Sequence, residues 1–169
     1  MDTMSKRKPN RIKDYDYSQN GAYFITICTN GRRKILGTIA CAGEDIHDIP
    51  SVNLSKYGEI VKGFIESIPE VYPVAKVPLY AIMPDHVHLI ISIDCENDGE
   101  TPRAASPTKM LIPKIVNSLK GLSSKKAGFS LWQRSYSDHV IRDYADFCRI
   151  EEYIFTNPFQ PRCPHQDSP

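Results

Sequence analysis

Two histidines one residue apart, His86 and His88, stand in the stretch Pro84-Asp85-His86-Val87-His88-Leu89. The surrounding residues are apolar and β-branched, as in a strand, and strand side chains two apart leave the same face. Both imidazoles then project together, with Val87 on the other side, and neutral imidazoles so placed can share one divalent ion. An H-x-H triplet also arises by chance. Context strengthens it, because histidines inside an apolar strand are costly to bury without partners, and an ion is one such partner. His47, His139 and His165 read as incidental. A second set lies near the end of the chain, where Arg149, Tyr153 and Asn157 are four apart and share one helix face. Phe147, Ile150 and Ile154 form the neighbouring apolar stripe that docks such a helix. Tyr153 falls at the edge of that stripe, where a phenol can lean towards a metal or pack its ring and leave its hydroxyl in water.

The elements that must position these residues follow from periodicity and turn chemistry. Residues 22–29 are aromatic and β-branched and run into Asn30-Gly31, a strand followed by a turn. Residues 34–40 read as the return strand of that hairpin. Apolar residues spaced three and four apart predict a helix over 54–68, capped by Ser51 or Asn53 and stopped by Pro69. Residues 77–83 and 86–93 read as two strands joined by Pro84-Asp85, the second mostly apolar and so covered on both faces. Residues 94–107 are acidic and rich in Gly, Pro and Ser, a surface excursion. A basic helix is expected over 110–127 with Pro113 in its first turn, a strand near 138–141, and a last helix over 143–156, N-capped by Asp143 and ended by Asn157-Pro158. The order β-β-α-β-β-α-β-α suits an α+β sandwich, an antiparallel sheet with helices packed on it.

A chain of 169 residues with a 41% hydrophobic fraction suits one compact domain. We expect a basic extended segment over 1–20, a catalytic domain over 21–158 with a flexible insertion at about 94–108, and a loose tail over 159–169. No apolar run approaches the roughly 20 residues of a membrane span. The polar start lacks a secretory h-region, so the expected location is cytoplasmic. Five scattered cysteines without a C-x-x-C pair argue against a disulfide framework and a cysteine zinc knuckle.

The net charge is only +1, yet every charged residue from Lys109 to Arg134 is positive. Basic clusters at the N-terminus and at Arg32, Arg33 and Lys34 add to these, which favours an anionic polymer as partner. Lys114, Lys120, Lys125, Lys126 and Arg134 are candidate phosphate contacts, as are Arg32 and Arg33 at a hairpin tip. Trp132 or Tyr136 could stack on bases, core packing being the alternative for Trp132.

At these residues the chain resembles the single-tyrosine HUH transposases, closest to the REP-associated tyrosine transposases. The likeness runs through residues 15–29 (YDYSQNGAYFITICT), 80–91 (YAIMPDHVHLII), 131–143 (LWQRSYSDHVIRD) and 149–158 (RIEEYIFTNP), nearly the whole chain. Members usually carry a tryptophan soon after the last motif, where this chain has Phe159-Gln160-Pro161-Arg162. The resemblance implies a ferredoxin-like antiparallel sheet with packed helices. It implies His86 and His88 as metal ligands, Asn157 as the third, and Tyr153 as nucleophile. Mg²⁺ or Mn²⁺ is the implied ion, although imidazole ligation also suits Zn²⁺. Single-stranded or hairpin DNA is the implied substrate, nicked and rejoined through a 5′-phosphotyrosine, with a homodimer as one arrangement. Two alternatives stand beside this: a catalytically silent hairpin-binding module, and a histidine-metal hydrolase using water.

Overall fold

The computed structural model describes residues 20–39, 52–94 and 111–156. The N-terminal segment up to Gln19, the insertion from Cys95 onward, Asn157 and the tail lie outside them. Strand β1 (Gly21–Cys28) alternates its side chains between two covered faces. Tyr23, Ile25 and Ile27 are fully buried on one, and Phe24 is buried on the other. Strand β5 (His86–Ile93) behaves likewise, sending Val87, Leu89, Ile91 and Ile93 to the first face and His86, His88 and Ile90 to the second. Burial on both sides explains why this strand reads as a nearly unbroken apolar run.

With β4 (Ala75–Met83) and β6 (Ser137–Ile141), these strands form one antiparallel sheet of order β4-β5-β1-β6. Helices α1 (Lys56–Glu66) and α3 (Leu111–Ala127) supply Val61, Ile65, Ile112, Ile115, Val116 and Leu119 to the core on the first face. Helix α4 (Tyr144–Thr156) covers the second with Ile150 and Ile154, packed on Phe24 and Ile90. The path β1-α1-β4-β5-α3-β6 through this strand order is the ferredoxin-like arrangement. Among the described residues no helix is long and apolar enough to cross a membrane.

Two local expectations are corrected. The described part of the segment expected to return, residues 34–39, does not lie alongside β1. Strand β2 (Gly37–Ile39) pairs instead with β3 (Val52–Leu54) in a separate two-stranded ribbon. Both edges of β1 are already taken, by β5 and β6, so no edge remains for a hairpin partner. The helix expected from residue 54 starts at Lys56 and is capped by Ser55, whose Oγ accepts from the backbone N–H of Tyr57 and Gly58. Asn53 belongs to β3, and Ser51 lies outside the described residues. Pro69 sits in the first turn of the short helix α2 (Ile68–Val71), where its missing N–H is tolerated.

Ser55 also joins α1 to the chain leaving β1: its hydroxyl donates to Ile35 O at 2.6 Å and its N–H to Leu36 O at 2.8 Å. The helix approaches so closely that a Cβ on Gly58 would meet Leu36 O at 2.1 Å. Leu36 N–H in turn donates to Pro84 O at 2.9 Å, so this stretch wraps the β4–β5 turn that leads into His86.

Candidate active site

Strand β5 delivers both histidines to the face beneath α4. His86 and His88 are 3% and 2% exposed. Their Nε2 atoms lie 2.9 Å apart, with ring centroids at 4.5 Å and planes at 79°. Each ring is held from behind through its other nitrogen: Asp85 Oδ1 accepts from His86 Nδ1 at 2.8 Å, and Thr26 Oγ1 lies 2.9 Å from His88 Nδ1. Thr26 comes from β1 and stands opposite His88 in the strand register. Two imidazole nitrogens converging at this distance can share a proton or a divalent cation. Rings oriented through Nδ1 form a donor set that fits such an ion. Among the described residues no group of three His, Cys, Asp or Glu side chains could hold a metal.

Helix α4 brings Tyr153 to the same place. Its ring meets that of His88 edge-on, with centroids 5.3 Å apart. Phe24 stacks on His88 at 5.3 Å and meets Tyr153 edge-on at 6.1 Å. Tyr153 is 40% exposed, so its ring packs against His88 and Phe24 while part of the side chain faces solvent. The N-terminal end of the helix is fixed to β6. Asp143 Oδ1 accepts from the N–H of Asp146 at 2.8 Å, a side-chain cap as expected. Asp146 Oδ2 accepts from His139 Nε2 at 2.8 Å and from Arg142 N–H at 3.3 Å. His139, which reads as incidental in the sequence, is a tether between strand and helix. The His139 contact, opposed in part by burial, holds the Asp146 carboxyl below its ordinary value. Arg149, one turn before Tyr153, reaches Asp146 Oδ1 at 3.4 Å and is otherwise exposed.

The basic candidates divide by position. After β1, Gly31 and Arg32 both adopt positive φ, 65° and 54°, and turn the chain at the His86 end of the sheet. Arg33 follows, its Nε donating to Asn30 O at 3.1 Å and its guanidinium 5.5 Å from the Phe129 ring. The segment after α3 reaches the same end, since Asn30 N–H donates to Leu131 O and Gln133 N–H to Cys28 O. Lys125 and Lys126 close α3 there, exposed, and Arg134 is exposed beyond them. Lys120 Nζ donates to Arg134 O at 2.9 Å, and burial lowers its pKa. Lys114 does not join this group. It sits in the first turn of α3, 5.9 Å from the Tyr72 ring, beside the opposite end of the sheet where β4 begins.

Of its two readings Trp132 takes core packing rather than base stacking, and Tyr136 is corrected from a stacking platform to a core residue. Trp132 is 5% exposed and donates its indole N–H to the buried Ser123 Oγ at 2.8 Å, and Tyr136 is buried in the same cluster. A ring enclosed in this way presents no face to a base. Asp85, Thr26 and Phe24 escape a reading of the motifs alone. Asp85 is adjacent to His86 and carries a visible signal, whereas Thr26 and Phe24 become neighbours of His88 only once the strand register is known.

These features define a class: a ferredoxin-like α+β protein with paired histidines on a central strand and a helical tyrosine packed against them. No family model matches the chain. An uncharacterised protein of Haemophilus influenzae is 32% identical over 166 residues, covering 90% of this chain and 88% of that one. A second protein of the same organism, assigned as a REP-associated tyrosine transposase, is 26% identical over 146 residues, covering 85% of this chain and 73% of that one. A solved structure of a REP-associated tyrosine transposase bound to a REP hairpin is similar in fold, with TM-score 0.58 and 18% identity, over 92% of this chain and 73% of that one. The chain is thus similar in sequence to a REP-associated tyrosine transposase and shares the fold of a solved one.

Proposed function

We propose that this protein is a DNA strand transferase that cuts single-stranded DNA beside a hairpin and rejoins it through Tyr153. The observation that carries the reading is the meeting, within one chain, of the Tyr153 ring with a histidine pair whose Nε2 atoms converge at 2.9 Å. A tyrosine has an ordinary pKa of about 10 and is a weak nucleophile at neutral pH. The reading therefore requires charge neutralisation beside it. His86, His88 and Asn157 are the residues to hold a divalent ion, Mg²⁺ or Mn²⁺, which when bound offsets phosphate charge and orients the phosphodiester for in-line displacement.

Tyr153 Oη attacks the scissile phosphorus and forms a phosphotyrosine bond to the 5′ side. The bond from phosphorus to the 3′ oxygen breaks, the phenol gives up its proton, and the leaving oxygen takes one up as a 3′ hydroxyl. One phosphodiester replaces another, so a second 3′ hydroxyl reverses the step without an external energy source. Phe24 and His88 restrict the tyrosine ring, which favours a reproducible approach. Arg32, Arg33, Lys125, Lys126 and Arg134 offer cationic contacts for DNA at the His86 end of the sheet. The hairpin-bound relative supports a hairpin as substrate. Action of Tyr153 within its own subunit is supported by the packing of α4 on its own sheet.

The test is incubation with single-stranded hairpin DNA and Mn²⁺, followed by a denaturing gel. The expected result is a covalent protein–DNA adduct, lost in Tyr153→Phe while hairpin binding persists. Binding without cutting in the wild type identifies a recognition module, and cutting without an adduct identifies attack by water.

A further inference from the structure

We propose that Asp85 is the positioning residue that makes His86 an ion ligand, by holding its ring in the Nδ1–H tautomer with Nε2 turned towards His88. The inference rests on the reading of the histidine pair as an ion site. Asp85 Oδ1 and His86 Nδ1 are 2.8 Å apart, and both side chains are largely closed to water. A carboxylate only accepts, so the proton of this bond belongs to Nδ1 and the lone pair of the neutral ring to Nε2. Nε2 is the atom that meets His88 at 2.9 Å. The other ring is held differently. The Thr26 hydroxyl beside His88 Nδ1 can donate or accept, so it orients that ring without selecting its tautomer. The site is asymmetric, and Asp85 supplies the asymmetry.

The carboxylate is itself held in place by the fold. Asp85 lies in the turn between β4 and β5, and its carbonyl lies 2.9 Å from the donating Thr29 N–H and 3.0 Å from the Thr29 hydroxyl. Thr29 is fully buried, and its hydroxyl also lies 2.8 Å from Arg33 O. On the other side of the turn, Pro84 O accepts from Leu36 N–H. Main-chain bonds on both residues of the turn fix where the Asp85 side chain begins and so where His86 is gripped. The same clamp joins the ion site to the Arg32-Arg33 turn.

Proton–nitrogen correlation spectra of the histidine rings are expected to show His86 protonated at Nδ1 in the wild type. Protonation at Nε2 overturns the proposal. Mn²⁺ titration followed by electron paramagnetic resonance is expected to show binding weakened about 10- to 100-fold in Asp85→Ala. Asp85→Asn, whose amide oxygen still accepts from Nδ1, is expected to restore part of that affinity. Equal affinity in wild type and a folded Asp85→Ala overturns the proposal while leaving the ion site intact. A wild type that binds no Mn²⁺ overturns the ion-site reading instead. Should Asp85→Ala not fold, the wild-type ring spectrum decides alone.

Discussion

Thr26 and Asp85 orient the two histidines by different chemistry, and each can be removed separately. Thr26→Val keeps the β-branched shape that suits a strand and deletes only the oxygen beside His88 Nδ1. The expected outcome is an Mn²⁺ affinity lowered by about 10-fold, with Thr26→Ser restoring it and the cooperative unfolding transition retained in both. Equal affinity in Thr26→Val would show that strand packing alone orients His88. At this scale the histidine pair was legible from an H-x-H triplet in an apolar strand, since alternation puts both rings on one face. Thr26 was not legible: it is 62 residues away in sequence from His88 and is brought there by pairing of β1 with β5.

Helix α4 carries the proposed nucleophile, and its docking has an apolar and a polar part. Ile150 and Ile154 cover Phe24 and Ile90, while Asp146 ties the first turn to His139 on β6. Asp146→Ala is expected to lower the melting temperature by a few degrees, about the effect of 1 kcal/mol in a domain of this size. It should also slow adduct formation, because Tyr153 sits two turns further along the same helix. The Asp146 carboxyl is held below its ordinary value by its bond from His139, so in acid the folded protein binds fewer protons there than the unfolded chain. Its contribution is complete above the ordinary aspartate value of about 3.9 and fades as pH falls through the depressed one. Acid titration of stability is expected to show this component in the wild type and not in Asp146→Ala. The periodicity of the last helix was legible, as was its cap at Asp143. The pairing of residues 37–39 was not, because strand propensity says that a segment pairs, and only the occupied edges of β1 decide with what.

Across the whole molecule, one end of the sheet gathers His86, the Arg32-Arg33 turn and the end of α3. Arg32→Gln with Arg33→Gln is expected to weaken hairpin binding and flatten its dependence on salt. The log–log slope should fall by about 0.7 for each single-strand phosphate that the protein no longer neutralises. Lys114→Gln, at the other end, should leave that slope unchanged. A slope that responds to Lys114 instead would place the nucleic acid along α3. Trp132 belongs to a different account. Trp132→Ala is expected to cost about 3–5 kcal/mol in denaturant unfolding, the range for truncating a large buried ring. Trp132→Phe should bind hairpins like the wild type.

Local pattern by itself determined the strand and helix sequence of the sheet and its covering helices, the shared face of His86 and His88, and the position of Tyr153 beside the apolar stripe of α4. These are consequences of alternation and helical spacing, which depend on near neighbours alone. Tertiary structure decided what is remote along the chain: Thr26 behind His88, Phe24 against both His88 and Tyr153, His139 against Asp146, and Trp132 in the core. Pairing register and layer packing are settled by the burial of whole faces, and no local segment contains the partner that it will meet.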